Sequence, residues 1–182
     1  MVLVSVPDAE LLAALEPLPD GVDAVLWDTV TDPPPGTLDV VVLPYLKGPN
    51  AGLLAASRSA RRLVQSQMLG YDGVEGRLPA GVTFANARGV HEASTAELAL
   101  GLIIASLRRL PAHLGSTPAA PQFPAGRSLA DRRVLVLGQG GVGAAVVDRL
   151  LPFEVDAVRV ARTARSDARG TVHSMAELRG LL

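Results

Sequence analysis

Along the first 90 or so residues, short apolar runs alternate with segments of helical spacing. Val2–Val6 reads as a buried strand closed by Pro7, and Asp8 stands where it can cap a helix over Ala9–Leu15. Leu11, Leu12 and Leu15 share one face of that helix. Val22–Trp27 is a second strand, and Asp32-Pro-Pro-Pro-Gly36 an exposed turn. Asp39–Leu43 is nearly all apolar, as a strand covered on both faces of a parallel sheet must be. A helix over Ala51–Ala60 and strands at Arg62–Ser66 and Val82–Asn86 follow. Alternating strands and helices predict an α/β chain with a parallel, doubly wound sheet over residues 1 to about 90.

Ser94-Thr-Ala-Glu97 has the form of a capping box, so the longest helix is expected to start there and run to about Leu110. From Leu98 to Ala105 it is apolar all round, which predicts burial on more than one side. Gly101 at its centre costs about 1 kcal/mol against alanine, so another backbone is expected to pack close there. Such a helix would bridge two domains or two subunits. Residues 111–127, with Pro111, Pro118, Pro121 and Pro124, read as a linker or arm. A second unit then offers a strand at Arg133–Leu137, a glycine turn over Gly138–Gly143, a helix over Val142–Leu151 and a strand at Val155–Ala161. Ser174-Met-Ala-Glu177 is a further capping box near the last residue. Two strands fall short of a βαβαβ nucleotide-binding half, so the chain is expected to be the front portion of a longer protein.

Composition narrows the function. The 182 residues carry 18 Asp plus Glu against 17 Lys plus Arg, a net charge of −1, and no cysteine. Disulfides, thiolate metal sites and a cysteine nucleophile are therefore excluded. The charge balance gives no electrostatic footprint for nucleic acid or an anionic membrane. The longest uncharged apolar run, Leu98–Leu107, is far short of the roughly 20 residues of a membrane span. Met1–Asp8 has no basic segment of a secretory signal, so a cytoplasmic location is expected. Lys47 is the only lysine, so an individual arginine is weak evidence of an anion site in this arginine-rich chain.

The chemistry is concentrated in Gly138-Gln-Gly-Gly-Val-Gly143, which fits G-x-G-x-x-G. Among 18 glycines the pattern alone is weak, but it follows a strand, opens a helix and leads to a second strand about 20 residues on. In a dinucleotide site Gly138 makes the tight turn, Gly140 lets the backbone approach a pyrophosphate and Gly143 permits close packing. The phosphates then meet the N-terminus of the helix. An NAD site usually ends its second strand in a carboxylate for the ribose 2′-hydroxyl. Here Arg162-Thr163-Ala164-Arg165 stands in that place and the next carboxylate is Asp167, which favours NADP over NAD. The competing reading is two solvated surface arginines.

Met68-Leu-Gly-Tyr-Asp-Gly73, Asn86-Ala-Arg-Gly-Val90, Ser94-Thr-Ala-Glu-Leu98 with Arg108-Arg-Leu-Pro111, and the glycine turn occur in an order and spacing that resembles the D-isomer-specific 2-hydroxyacid dehydrogenases over essentially the whole chain. Glyoxylate/hydroxypyruvate reductases of that family share the basic residue after the second nucleotide strand. The resemblance implies a flavodoxin-like substrate domain over residues 1–92, lacking its C-terminal helix. Residues 93–182 would then hold the interdomain helix, the arm and the first, incomplete part of a Rossmann domain. It implies that the amides around Leu69 and Gly70 bind a substrate carboxylate, with Tyr45 and Leu46 lining the cleft. It places Thr95 on the nicotinamide side, and Gly141 and Val142 at the pyrophosphate, with Arg162 and Thr163 toward the 2′-phosphate. The full enzyme would move a hydride between nicotinamide C4 and C2 of a small 2-keto or 2-hydroxy acid, as a homodimer. The family's catalytic arginine, acidic partner and histidine are expected beyond Leu182. His91, His113, His173 and Arg88 match none of those roles. Two other classes compete: a catalytically inactive fragment or dinucleotide-binding module, and a flavodoxin-like signalling domain, for which no acidic pocket at the strand ends is evident.

Overall fold

The computed structural model describes residues 1–45, 52–114 and 126–182. Contacts divide them between two units, Met1–Arg88 and Gly89–Leu182.

The first unit is a five-stranded sheet in which every pairing is parallel. Its strands are β1 (Val2–Val6), β2 (Val22–Leu26), β3 (Leu38–Val42), β4 (Ala60–Gln65) and β5 (Thr83–Ala85). The spatial order is β2-β1-β3-β4-β5, with β1 pairing β2 over Val2↔Val22 to Val6↔Leu26. This is the flavodoxin-like order, in which the lateral direction of winding reverses at the switch point between β1 and β3. Helix α1 (Ala9–Ala14) starts as expected, the Asp8 carboxylate accepting from the Leu11 amide at 2.8 Å. Helix α2 (Leu53–Ser59) places Leu53 and Ala56 against Trp27, Leu38, Val41, Leu43 and Val64 in one core. Asp39 is buried at the start of β3, accepting from the Leu3 amide and pairing with Arg62 at 3.2 Å.

In the second unit, α3 (Glu92–Leu107) and α4 (Leu110–Leu114) precede β6 (Arg133–Leu137) and α5 (Gly141–Leu150). A 3-10 turn at Leu151–Phe153 leads to β7 (Asp156–Ala161), pairing parallel with β6 from Arg133↔Asp156 to Leu137↔Val160. Two further strands follow, β8 (Arg165–Asp167) and β9 (Gly170–Ser174). They form an antiparallel hairpin whose second strand pairs parallel with β7, giving the order β6-β7-β9-β8. The expectation of only two strands here is thus corrected. Arg165–Asp167 is exposed throughout and Val172 is the one fully buried residue of β9, so the apolar pattern that announces a strand is missing. The chain closes with a 3-10 turn at Met175–Glu177 and α6 (Leu178–Leu181). Ser174 and Glu177 form the expected capping box, and His173 lies in β9.

Three expectations about the long helix also change. It begins at Glu92, before Ser94, so Ser94-Thr-Ala-Glu97 is not its capping box. Ser94 instead donates its hydroxyl hydrogen back to the His91 carbonyl at 3.2 Å, and the Glu92 carboxylate accepts from the Gly89 amide at 2.7 Å. The helix ends at Leu107, and Arg109, with φ of 53°, breaks the run before α4. Nor is it enclosed on more than one side. Ala96 and Leu100 are buried, but Leu98 and Leu102 are 63% and 62% exposed, and beyond its own stretch of helix no described atom lies within 4 Å of a Cβ built on Gly101. Of the proline-rich stretch, residues 115–125 lie outside the described residues, while Pro111 is part of α4.

Candidate functional site

The glycine turn is built by the end of β6 and the start of α5. The Gly138 amide donates to the Val160 carbonyl at 2.8 Å, which ties the turn to β7. Gly138 then adopts φ of +96°, a conformation that a side chain disfavours. A Cβ on Gly143 would fall on the Gly138 carbonyl, so the turn closes only without one. Gly141 lies against Glu92, whose Oε1 would be 2.5 Å from a Cβ there. Gly140 is different: it occupies the N-cap of α5, and nothing described lies within 4 Å of a Cβ on it. No described side chain caps this helix, so its first turn, around Gly141 and Val142, presents the positive end of the helix dipole, where an anion would be favoured. These features fit a dinucleotide pyrophosphate.

Parallel pairing brings the loop after β7 to the same C-terminal end of the strands as the glycine turn. Arg162 and Thr163 are exposed there. Arg165 reaches back and donates from Nη2 to the Gln139 carbonyl at 2.8 Å, so a guanidinium is anchored on the turn itself. Asp167, the nearest carboxylate in the sequence, is engaged elsewhere: it accepts twice from Arg159, at 2.8 and 2.5 Å, and from the Arg169 amide at 2.9 Å. The Arg159 guanidinium, followed by the Arg169 amide, holds the Asp167 carboxyl down to about 2. Thr95 is exposed on α3, one turn beyond Glu92.

Sequence reasoning missed Arg159. It sits in the middle of β7, 4% exposed, with Nε bonded to the Gln139 side chain at 3.0 Å and Nη1 to the Gly170 carbonyl at 3.3 Å. A charged residue inside Val158-Arg159-Val160 was the available signal, since a buried arginine demands partners.

In the first unit, Tyr45 and the Leu69–Gly70 loop follow the C-terminal ends of the neighbouring strands β3 and β4, where α/β sheets bind their ligands. The loop is held on both sides. Gln67 donates to the Leu43 carbonyl at 2.8 Å, Asn86 to the Leu69 carbonyl at 2.9 Å, and the Ala87 amide to the Met68 carbonyl at 3.0 Å. Tyr45 is 45% exposed, Leu69 and Gly70 half-buried, and Leu46 lies outside the described residues. An open cleft lined by Tyr71, Asp72, Val74, Phe84 and Asn86 adjoins this loop. Arg88 is exposed after β5, and His91 occupies the N-cap of α3.

No protein-family model matches the sequence, and no curated protein sequence does. Solved structures do match. A D-isomer-specific 2-hydroxyacid dehydrogenase family protein from Aeromonas salmonicida superposes with a TM-score of 0.76 at 19% identity, over 99% of this chain and 60% of its own. An NADPH-dependent glyoxylate/hydroxypyruvate reductase from Sinorhizobium meliloti, in complex with NADP and sulfate, gives 0.77 at 18%, over 100% and 59%. A D-isomer-specific 2-hydroxyacid dehydrogenase from Xanthobacter autotrophicus Py2, in complex with NADPH and MES, gives 0.71 at 21%, over 100% and 60%. This chain spans about 60% of the length of these structures. Over that length, it has the α/β fold of the D-isomer-specific 2-hydroxyacid dehydrogenases.

Proposed function

We propose that this chain supplies the substrate-binding sheet and the front of the nucleotide-binding domain of an NADP(H)-dependent oxidoreductase of the D-2-hydroxyacid dehydrogenase type. One observation carries the reading: a G-x-G-x-x-G turn whose Gly140 faces open space at an uncapped helix start, with the Arg165 guanidinium anchored on its backbone. Gly138, Gly140, Gly141, Val142 and Gly143 would hold the pyrophosphate. Arg162, Thr163 and Arg165 would face the ribose, with Thr95 nearer the nicotinamide. The preference for NADP over NAD rests on two arginines at that end of the strands and on Asp167 being committed to Arg159, which leaves no carboxylate of that loop for a 2′-hydroxyl. When bound, the nicotinamide supplies or accepts the hydride. The Leu69–Gly70 loop and Tyr45 would orient the carboxylate of a small 2-keto or 2-hydroxy acid. Proton transfer and carbonyl polarisation would fall to an arginine, its acidic partner and a histidine outside residues 1–182. A homodimer belongs to the same reading: Leu98 and Leu102 present an apolar stripe beside the open Gly101, suited to a second copy of α3.

The test is a calorimetric titration of the 182-residue chain with NADPH and NADH. Saturable binding that prefers NADPH, weakened at least about tenfold by Arg162→Asp, is expected, that residue contributing a charge-assisted hydrogen bond. No binding to either nucleotide would sink the reading. A second reading, a dinucleotide-binding module without its own activity, shares the same glycine turn. It predicts the same titration but no NADPH oxidation with glyoxylate or hydroxypyruvate.

A further inference from the structure

The glycine turn and the β8–β9 hairpin meet at one buried side chain. Four of the five N–H groups of Arg159 are used: Nε on Gln139 Oε1, Nη1 on both Asp167 Oδ1 and the Gly170 carbonyl, and Nη2 on Asp167 Oδ2. Gln139 is the second residue of the glycine turn. Its amide nitrogen donates to the Val136 carbonyl at 3.3 Å, so its side chain turns into the protein, away from a ligand. Its backbone carbonyl, on the other side, receives Arg165. The hairpin is fastened independently to α5, where Arg169 pairs with Asp148 at 2.5 and 2.7 Å. A strand in a parallel sheet normally buries an apolar residue at such a position; here a charge is buried with its partners arranged on two different segments.

We propose that Arg159 is a positioning residue for the dinucleotide site: its fork joins Gln139 of the glycine turn to Asp167 of the hairpin. The pyrophosphate turn and the Arg165 arm are thereby held as one unit. The same contact removes the Asp167 charge from the neighbourhood of a 2′-phosphate. A planar guanidinium spans both partners, and an ammonium on a lysine stem does not. The proposal rests on the dinucleotide reading above, and the experiment separates the two.

The full chain and the variants Arg159→Lys, Arg159→Met/Asp167→Asn and Gln139→Leu are titrated with NADPH and NADH, and hydrogen exchange is followed over residues 138–143. The double variant removes both charges, so no unpaired carboxylate threatens folding. Arg159→Lys keeps the charge but loses the fork. Expected is at least a tenfold weaker NADPH affinity in Arg159→Lys and in the double variant, a smaller loss in Gln139→Leu, and faster exchange at the glycine turn. Arg165→Ala, by contrast, should narrow the NADPH-over-NADH ratio without loosening the turn. A residue that only stabilised the fold would lower the melting temperature and leave the affinity of the folded variants unchanged; that outcome overturns the proposal. Unchanged turn exchange in Arg159→Lys overturns it too. If the unsubstituted chain binds neither nucleotide, the dinucleotide reading has failed and the positioning role falls with it.

Discussion

The two units use parallel sheets in different ways. In Met1–Arg88 the sheet is held by continuous apolar runs, with Leu38, Val41, Leu53 and Val64 essentially inaccessible around Trp27. In Gly89–Leu182 the buried cluster holds Leu100, Leu129 and Leu150, while Val147, Val160 and Val172 are buried outside it, and the hairpin side of the sheet is secured by two bidentate arginine–carboxylate pairs, Arg159–Asp167 and Arg169–Asp148. A core of apolar side chains tolerates no open space and has no preferred partner. Ion pairs of fixed geometry specify which segment meets which, at a desolvation cost. The second unit is the one carrying the candidate nucleotide turn, where register between turn and hairpin matters more than depth of burial.

Matched leucine truncations test this contrast most forcefully. Leu53→Ala should cost about 4–5 kcal/mol, because the surrounding core cannot collapse onto the cavity, whereas Leu150→Ala should cost about 2–3 kcal/mol. Trp27, the single tryptophan, reports on the first unit alone. Denaturant unfolding followed by its fluorescence should register Leu53→Ala in full and Leu150→Ala hardly at all; equal shifts would mean that the units unfold as one and the contrast fails. Next in size is Asp167→Asn, which strands the Arg159 charge inside the sheet. A loss smaller than that of Leu53→Ala but larger than that of a surface substitution is expected, and replacing both residues should restore most of it. Hydrogen exchange over residues 165–174 is the measurement.

The same contrast decides what was legible in the sequence. Val2–Val6 and Asp39–Leu43 are apolar enough to announce buried parallel strands, and Asp8 and Ser174 announce their caps. Gly138–Gly143 was readable because a strand and a helix flank it. The β8–β9 hairpin was not, because Arg165, Ser166 and Asp167 act through charge and backbone pairing, which leave no periodic apolar mark. Ser94 shows the opposite failure: the Ser-x-x-Glu pattern is present, but the helix had already started at Glu92, whose carboxylate serves the Gly89 amide. At Gly101 an all-apolar helix was equated with an enclosed one, yet Leu98 and Leu102 face outward.

A smaller effect sharpens the comparison from the first unit. Asp8→Ala should cost about 1 kcal/mol, the usual value of an N-cap. Since α1 buries no residue fully, the loss should stay local. It should appear as faster exchange in residues 9–14, with the Trp27 transition moved by no more than that amount.

The smallest expected effect is the response to acid, and its sign follows from which carboxylates are held down. Asp167 is lowered to about 2 by the Arg159 guanidinium and then the Arg169 amide. Glu177 is lowered to about 2 by the Ser174 amide, then by the His173 ring and the Ser174 hydroxyl. Arg169 also lowers Asp148. Each carboxylate therefore contributes stability that is complete above the ordinary carboxylate range near pH 4 and is lost as the pH falls toward 2. All three lie in the second unit and all are hydrated, so water and salt screen the effect. Between pH 5 and pH 2 at low ionic strength, exchange should quicken at residues 165–177 before the Trp27 fluorescence changes. Added salt should shrink the gap between the two responses. If Trp27 responds first, the division into an apolar unit and a charge-fastened one is wrong, because the acid-sensitive contacts would then lie in the sheet that has been assigned to apolar packing.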